Sequence, residues 1–199
     1  QGWTGSAINN TFYVGHAAGG DAMSIAAAQA VSSTGNTINV GSGNFAEAVT
    51  VDDARNIVFD GTTITSYTQN VASAIGGTVT AAGGFVLNAL TSLVSDTVLN
   101  GDVTAASING TASGNRSLTV NGGAVALNGS SYKGSALSFG GTGVTLTQAV
   151  TTFDTSSVGG DITFTGPIFG TTDGAQSVVF NAGPGTGVVN GDISMQNAG

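Results

Sequence analysis

The sequence predicts an all-β chain wound as a parallel β-solenoid behind one short helix, and three observations carry that prediction. The stretch TINVGSGNFAEAVTVDDARNIVFDGTTI, residues 37–64, holds three short β-branched runs: Thr37–Val40, Ala48–Val51 and 56–59. Turn residues separate them (Gly41-Ser42-Gly43-Asn44, Asp52-Asp53, then Asp60-Gly61), and runs bounded in this way read as strands. They lie closer together than the strands of a sandwich usually do, with no helix between them. Second, the 199 residues include 33 Gly but only 2 Pro, and no G-X-Y period. That composition suits many tight turns and argues against both collagen and proline-rich disorder. Third, Asn-Gly occurs at 100, 109, 121, 128 and 190, each time beside a β-rich stretch. Both residues tolerate left-handed backbone, so each pair is expected to turn the chain sharply.

Taken in order, residues 1–20 hold the only Trp and the only His. Thr11–Val14 reads as a short strand, with Trp3, Phe12 and Tyr13 expected to cover an open end of the core. Residues 21–33, DAMSIAAAQAVSS, read as the one helix, its apolar face formed by Met23, Ala26, Ala27, Ala30 and Val31. Asp21 or Ser24 is placed to cap its start, and Gly35-Asn36 to end it. Such a helix would close the first turn of a solenoid, whose edge is otherwise exposed. Beyond residue 66, the segment 76–81 reads as a strand. The segment 85–94, apolar at 87, 90 and 94, is assigned to strand from its Gly83-Gly84 start. Val98-Leu99-Asn100-Gly101-Asp102-Val103 recurs as Val188-Val189-Asn190-Gly191-Asp192-Ile193, and more loosely as Val158-Gly159-Gly160-Asp161-Ile162. The last two aspartates are 31 residues apart, with strands expected near 161–165, 176–181 and 187–193.

Two resemblances rest on these residues. Residues 21–64, with Ser24-Ile25-x-x-Ala28, Thr37-Ile38-Asn39-Val40, the glycine turn ending in Phe45, Glu47-x-Val49-Thr50-Val51 and Asn56-Ile57-Val58-Phe59-x-Gly61, resemble the opening segment of right-handed parallel β-helix proteins of the pectin-lyase-like superfamily. This implies the fold and its handedness but no particular activity. Residues 98–199, through Gly160-Asp161-Ile162-Thr163-Phe164-x-Gly166, Asp173-Gly174-Ala175-Gln176-Ser177-Val178-Val179-Phe180-Asn181 and Gly185-Thr186-Gly187, resemble repeats of large bacterial surface adhesins of the filamentous-haemagglutinin type. That resemblance implies an extracellular or cell-surface, bacterial setting.

Composition narrows the chemistry. The net charge is −8, the pI is about 4.1, and Arg55, Arg116 and Lys133 are the only cations. Nucleic acid and anionic membrane surfaces are therefore poor partners, since both are bound through clustered Lys and Arg. No apolar run approaches membrane-spanning length. Without Cys there is neither a disulfide nor a thiolate metal site. His16 has no second ligand at metal spacing and is assigned to the surface or the core edge. Asp52-Asp53, beside Arg55, is the only adjacent acidic pair and the one candidate for carboxylate chemistry, though solvated turn residues are the preferred reading. Asp102, Asp161 and Asp192 are candidate Ca²⁺ ligands only if successive coils stack them; turn aspartates bonded to local backbone are preferred. No Gly-x-Ser-x-Gly motif is present, and Gly140-Gly141-Thr142-Gly143-Val144-Thr145 carries Thr where a calcium repeat needs Asp. Thr-x-Thr at 63–65, 78–80, 145–147 and 163–165 is spaced too irregularly for a lattice-matching array, and alternating strands explain it. The sequons at Asn9, Asn109, Asn115 and Asn128 match chance in so Asn- and Thr-rich a chain.

The resulting expectation is a cap over residues 1–36 followed by about seven coils over 37–199, at roughly 20–30 residues each. Ile38, Val40, Val49, Val51, Ile57, Phe59, Leu118, Val120, Ile162, Phe164, Val178 and Phe180 should face inward. No catalytic, cofactor-binding or metal residue is assigned. The leading function is structural: part of a bacterial adhesin or of a fibre that self-associates head to tail. The alternative is a carbohydrate-active or polysaccharide-binding β-helix. The chain opens at Gln1 and ends on what reads as the start of another repeat, so it is expected to be a processed product or a fragment, continuing or meeting a neighbour beyond 199.

Overall fold

The computed structural model describes residues 11–15 and 24–197. The chain is mostly β, and every strand pairing among the described residues is parallel. Two sheets contain the strands. The smaller has eight, in the order Ala48–Val51, Ser66–Gln69, Phe85–Leu87, Val103–Ala105, Ala124–Leu127, Gly143–Leu146, Ile168–Gly170 and Ile193–Asn197. The larger has fourteen and branches. Its early members Asn56–Ile64, Ser73–Ala81 and Thr91–Asn100 are long, and the last of these splits the sheet. Thr91 and Ser92 continue into Ile108–Asn109, Ser131–Lys133, Val150–Asp154 and Ser177–Asn181, whereas Thr97–Leu99 continue into Leu118–Asn121, Leu137–Gly140, Ile162–Phe164 and Gly187–Val189.

Local chemistry explains the change from one long strand to two short ones. In Asn56–Ile64 the register slips between Asp60 and Thr62, and Gly61 has φ 66°. Asp60-Gly61, which the sequence marks as a turn, is instead a bulge inside a strand that keeps pairing on both sides, because a glycine absorbs one extra residue by adopting left-handed backbone. After residue 100 the corner is made by loops, and strands on either side are separate elements.

Register is regular where sequence spacing is not. In the smaller sheet Val49, Tyr67, Phe85 and Val103 succeed one another at intervals of 18 residues, while Val144, Ile168 and Ile193 follow at 24 and 25. Inward positions form continuous apolar columns, since alternate side chains along a strand share a face. Ten of the twelve residues expected inside, from Ile38 to Phe164, are at most 2% exposed; Val178 and Phe180 are partly buried against the same core. In the later part the core is aromatic. Tyr132 stacks on Phe153 (centroids 5.5 Å) and Phe153 on Phe180 (5.8 Å), while Phe139 stacks on Phe164 (5.1 Å). The two stacks meet edge to face, Phe153 against Phe164 at 4.9 Å. Offset stacks and edge-to-face contacts both suit the ring quadrupole. The Tyr132 hydroxyl is satisfied inside this core, donating to the Ala105 carbonyl (2.9 Å) and accepting from the Gly129 N–H (2.9 Å).

The helix is Ile25–Val31, capped by the Ser24 side chain, which accepts from the Ala27 N–H at 3.0 Å. It ends at Ser32, earlier than Gly35-Asn36, and its buried face is Ile25 and Ala28, not the alanines at 26, 27 and 30 with Val31, which is 57% exposed. Alanines all round give the periodicity no phase, so the one large β-branched residue decides which side turns inward. Met23 and the alternative cap Asp21 lie outside the described residues, as do Trp3 and His16. Phe12 is buried, but Tyr13 alternates outward and is 68% exposed, so it does not cover the core. The helix is fastened to the smaller sheet. Glu47 accepts from the N–H groups of Ile25 and Ala26 (3.1 Å each), and the Gln29 amide donates to the Thr50 carbonyl (2.9 Å). One of these bonds, from Gln29 to Thr50, reaches the outer edge of Ala48–Val51 itself, whose other edge pairs with Ser66–Gln69. An uncovered edge would be a template for unwanted pairing.

The remaining differences fall in the second half. The segment 85–94 is strand, as expected, but in two pieces, Phe85–Leu87 and Thr91–Asn100, with Leu90 47% exposed between them. Ile168–Gly170 is an additional strand, and 187–193 is cut by a corner into Gly187–Val189 and Ile193–Asn197. The Asn-Gly pairs do stand at strand ends, but for four of the five the reason is not left-handed backbone. Only Gly101 has a positive φ, at 145°. A Cβ on Gly110, Gly122, Gly129 or Gly191 would lie 2.1–2.5 Å from backbone of a neighbouring segment. Glycine is needed there because backbones pass within contact of one another.

Candidate functional site

Asp52 and Asp53 follow directly on Ala48–Val51, yet each is engaged separately. Asp52 accepts from the Asn70 amide at 2.8 Å, and Asn70 in turn accepts from the Asn88 amide at 2.9 Å, so the three form a polar ladder up one corner. Asp53 pairs with Arg55 at 3.2 Å, and the same Arg55 Nη2 donates to the Ser32 carbonyl at 3.3 Å. The pair is thus split between a structural ladder and an ion pair. No pair of free carboxylates faces a cleft here.

Asp102, Asp161 and Asp192 are not stacked on successive layers, which removes the premise of a shared calcium site. Asp102 and Asp192 each precede a strand of the smaller sheet, but Val103, Val125, Val144, Ile168 and Ile193 place them four pairing steps apart, about 19 Å. Asp161 precedes Ile162, in the other sheet, at a different corner. The 31-residue spacing therefore joins unlike positions. Two of the three carboxylates do a common job: Asp102 accepts from the N–H groups of Gly123 and Ala124 (3.1 and 2.9 Å), and Asp161 from the N–H of Thr186 (2.9 Å). Asp96 does the same for Ser117 (2.9 Å). Each clamps a corner to the next layer. Among the described residues no group of three His, Cys, Asp or Glu is placed to hold a metal ion.

The clamps carry a pH dependence. The Ser117 backbone N–H, helped by its hydroxyl and by Arg116, holds the Asp96 carboxyl below its ordinary value against a smaller opposing effect of burial. Asp154 is lowered chiefly by the Ser156 hydroxyl at 2.6 Å, with help from Lys133. A carboxyl with a depressed folded-state pKa stabilises the fold above its unfolded pKa and loses that contribution as pH falls through the folded value. Stability should therefore decline below about pH 4, and Asp96→Asn with Asp154→Asn should flatten that decline. Both groups are largely solvated, so the effect is small; urea midpoints at pH 7 and pH 3 for the two proteins would measure it.

Two other surfaces were legible in sequence only in part. Thr78 and Thr80 do share columns with Thr163 and Thr165, through Val98 and Asn100, Thr119 and Asn121, and Ser138 and Gly140. Irregular sequence spacing hides a regular spatial register, because loops of different length intervene. Chemically the columns are mixed, with Val98 and Gly140 interrupting the hydroxyls. Thr145 belongs to the other sheet, in one column with Thr50, Thr68 and Thr104. The second surface is a shallow open trough of about 330 Å³ over the outward column Asn56, Ala74, Ser92. Arg55, Asn56, Ser73, Ser92 and Ser113 give it polar groups, and Leu90 an apolar wall. Arg55 is 10% exposed, and its Nε is buried without a hydrogen-bond partner among the described residues. Nothing in the sequence brings Ser113 and Arg55 to one trough; that depends on three successive pairings among the four strands that begin at Asn56, Ser73, Thr91 and Ile108.

No family model matches the chain, and neither the curated proteins nor the solved structures contain a match.

Proposed function

We propose that the protein is a right-handed parallel β-helix acting as a structural element, part of a bacterial surface adhesin or extracellular fibre that self-associates through the end formed by its last strands. The observation that carries this reading is the contrast between the two ends of the smaller sheet. The outer edge of Ala48–Val51 is bonded to the helix at Thr50 through Gln29, and Glu47 beside it holds the helix N-terminus. Ser177–Asn181, Gly187–Val189 and Ile193–Asn197 each pair on one side only among the described residues, and Val179, Val188 and Ile193 there are 38–48% exposed. Unpaired strand edges with apolar neighbours are templates for adding a further strand. The strand order, returning to each sheet after 17–27 residues, supports the solenoid path. Right-handedness is favoured because parallel crossovers in one sheet are almost always of that hand. The pectin-lyase-like and adhesin-repeat resemblances point the same way.

Sedimentation velocity over a concentration series, with electron microscopy of the same samples, tests the proposal. Assembly should grow with concentration and should be abolished by Val179→Lys with Val188→Lys, which place charge on the open end. A monomer at every concentration would overturn it. A second reading, a polysaccharide-binding or polysaccharide-cleaving β-helix, is favoured by the trough at Arg55, whose amide, hydroxyls and guanidinium match sugar hydroxyls. Binding to a neutral or acidic glycan that Arg55→Ala removes would support that reading over the first.

A further inference from the structure

We infer that Asn190 is a site of spontaneous covalent modification, and that the folded chain selects it from five chemically equivalent Asn-Gly pairs. In such a pair the glycine nitrogen can attack the asparagine side chain, because no Cβ shields it. The N–Cγ bond forms, the Cγ–Nδ2 bond breaks, and ammonia leaves, taking the proton of the attacking N–H. Water then opens the five-membered imide at either carbonyl. The net change consumes one water, releases one ammonia, and leaves an aspartyl or isoaspartyl residue at position 190. The asparagine side chain must be free to swing onto the backbone, and the following N–H must be free to lose its proton.

Four of the pairs are held. At Asn109 the side-chain oxygen accepts from the Thr111 N–H and hydroxyl (2.9 and 2.7 Å), and the Gly110 N–H donates to the Lys133 carbonyl (2.7 Å). At Asn128 the Gly129 N–H is bound to the Tyr132 hydroxyl (2.9 Å). Asn100 is clamped on both sides, donating to the Thr80 hydroxyl (3.3 Å) and accepting from the Asn121 amide (3.1 Å), a bond that also holds Asn121. Asn190 differs. It occupies the same corner of its layer as Asn100, since Leu99, Val120, Phe139, Phe164 and Val189 form one column. Its backbone N–H donates to the Phe164 carbonyl (2.9 Å), but its side chain is exposed, and among the described residues neither that side chain nor the Gly191 N–H makes a hydrogen bond. Asn100 and Asn190 are thus the same motif, Asn-Gly-Asp, with the clamp present in one and absent in the other. The product adds a negative charge two residues from Asp192.

Incubation of the folded 199-residue chain at mildly alkaline pH, followed by peptide mapping and assay of released ammonia, tests this. The peptide containing position 190 should gain about one dalton at least about tenfold faster than those containing Asn100, Asn109, Asn121 or Asn128, and the same incubation in denaturant should bring all five to comparable rates. Asn190→Gln, which must close a larger ring, should remove the fast phase and leave the rest. A folded-state rate at 190 equal to or below that at Asn100 would overturn the inference. So would a five-way rate order that denaturant leaves unchanged.

Discussion

Phe153→Ala should cost about 3–5 kcal/mol of stability, read as a fall in the urea midpoint at unchanged slope. Phe153 is fully buried and lies at the junction of both aromatic stacks, touching Tyr132, Phe139, Phe164 and Phe180. Removing its ring leaves a void bounded by four other rings, which parallel pairing above and below prevents from collapsing. The matched control is Phe169→Ala. Phe169 lies one residue along from the buried Ile168, on the outward face, and its loss should cost below about 1 kcal/mol. Similar costs for the two would mean that the inward and outward faces are misassigned.

Gly77→Ala should be about as damaging, at about 3 kcal/mol or more, and for a different reason. Gly77 has φ 77°, and a Cβ there would sit 1.8 Å from the Phe59 carbonyl oxygen of the adjacent strand. Left-handed backbone alone costs an alanine roughly 1–2 kcal/mol, and the clash with a backbone atom is additional, because a paired strand cannot move aside. Gly35→Ala separates the two contributions. Gly35 has φ 82° but open space around its Cβ position, so its substitution should show the conformational cost alone. Equal losses at 35 and 77 would remove the close approach of neighbouring strands from the account.

Single strands were legible where β-branched residues alternate between clear turn residues. Thr37–Val40 and Ala48–Val51 need only local propensity, and the structure places them at those bounds. What local reading misses is whatever depends on the neighbouring layer. Asp60-Gly61 looks like a turn, and only pairing with Thr78 and Val79 makes it a bulge. Gly122 looks like half of a hairpin turn, and only the Gly101 carbonyl, 2.1 Å from its missing Cβ, shows why a side chain is excluded. The similar segments ending at Asp161 and Asp192 suggest a repeat, but they occupy corners of different sheets. Loop length varies from layer to layer, so distance in sequence does not translate into position in space. The trough at Arg55 shares that cause, as it is assembled from segments around 35, 55, 73, 92 and 113.

The decisive measurement is a distance between two spin labels. With no native Cys, Thr68→Cys and Thr145→Cys label the chain uniquely. Those residues are 77 positions apart in sequence, yet they stand on one outward column four pairing steps long, through Val86, Thr104 and Ala126. Stacked parallel layers predict a single backbone separation of about 19 Å. A separation beyond about 30 Å, or several populations, would contradict the stacking on which the core and the corner clamps depend.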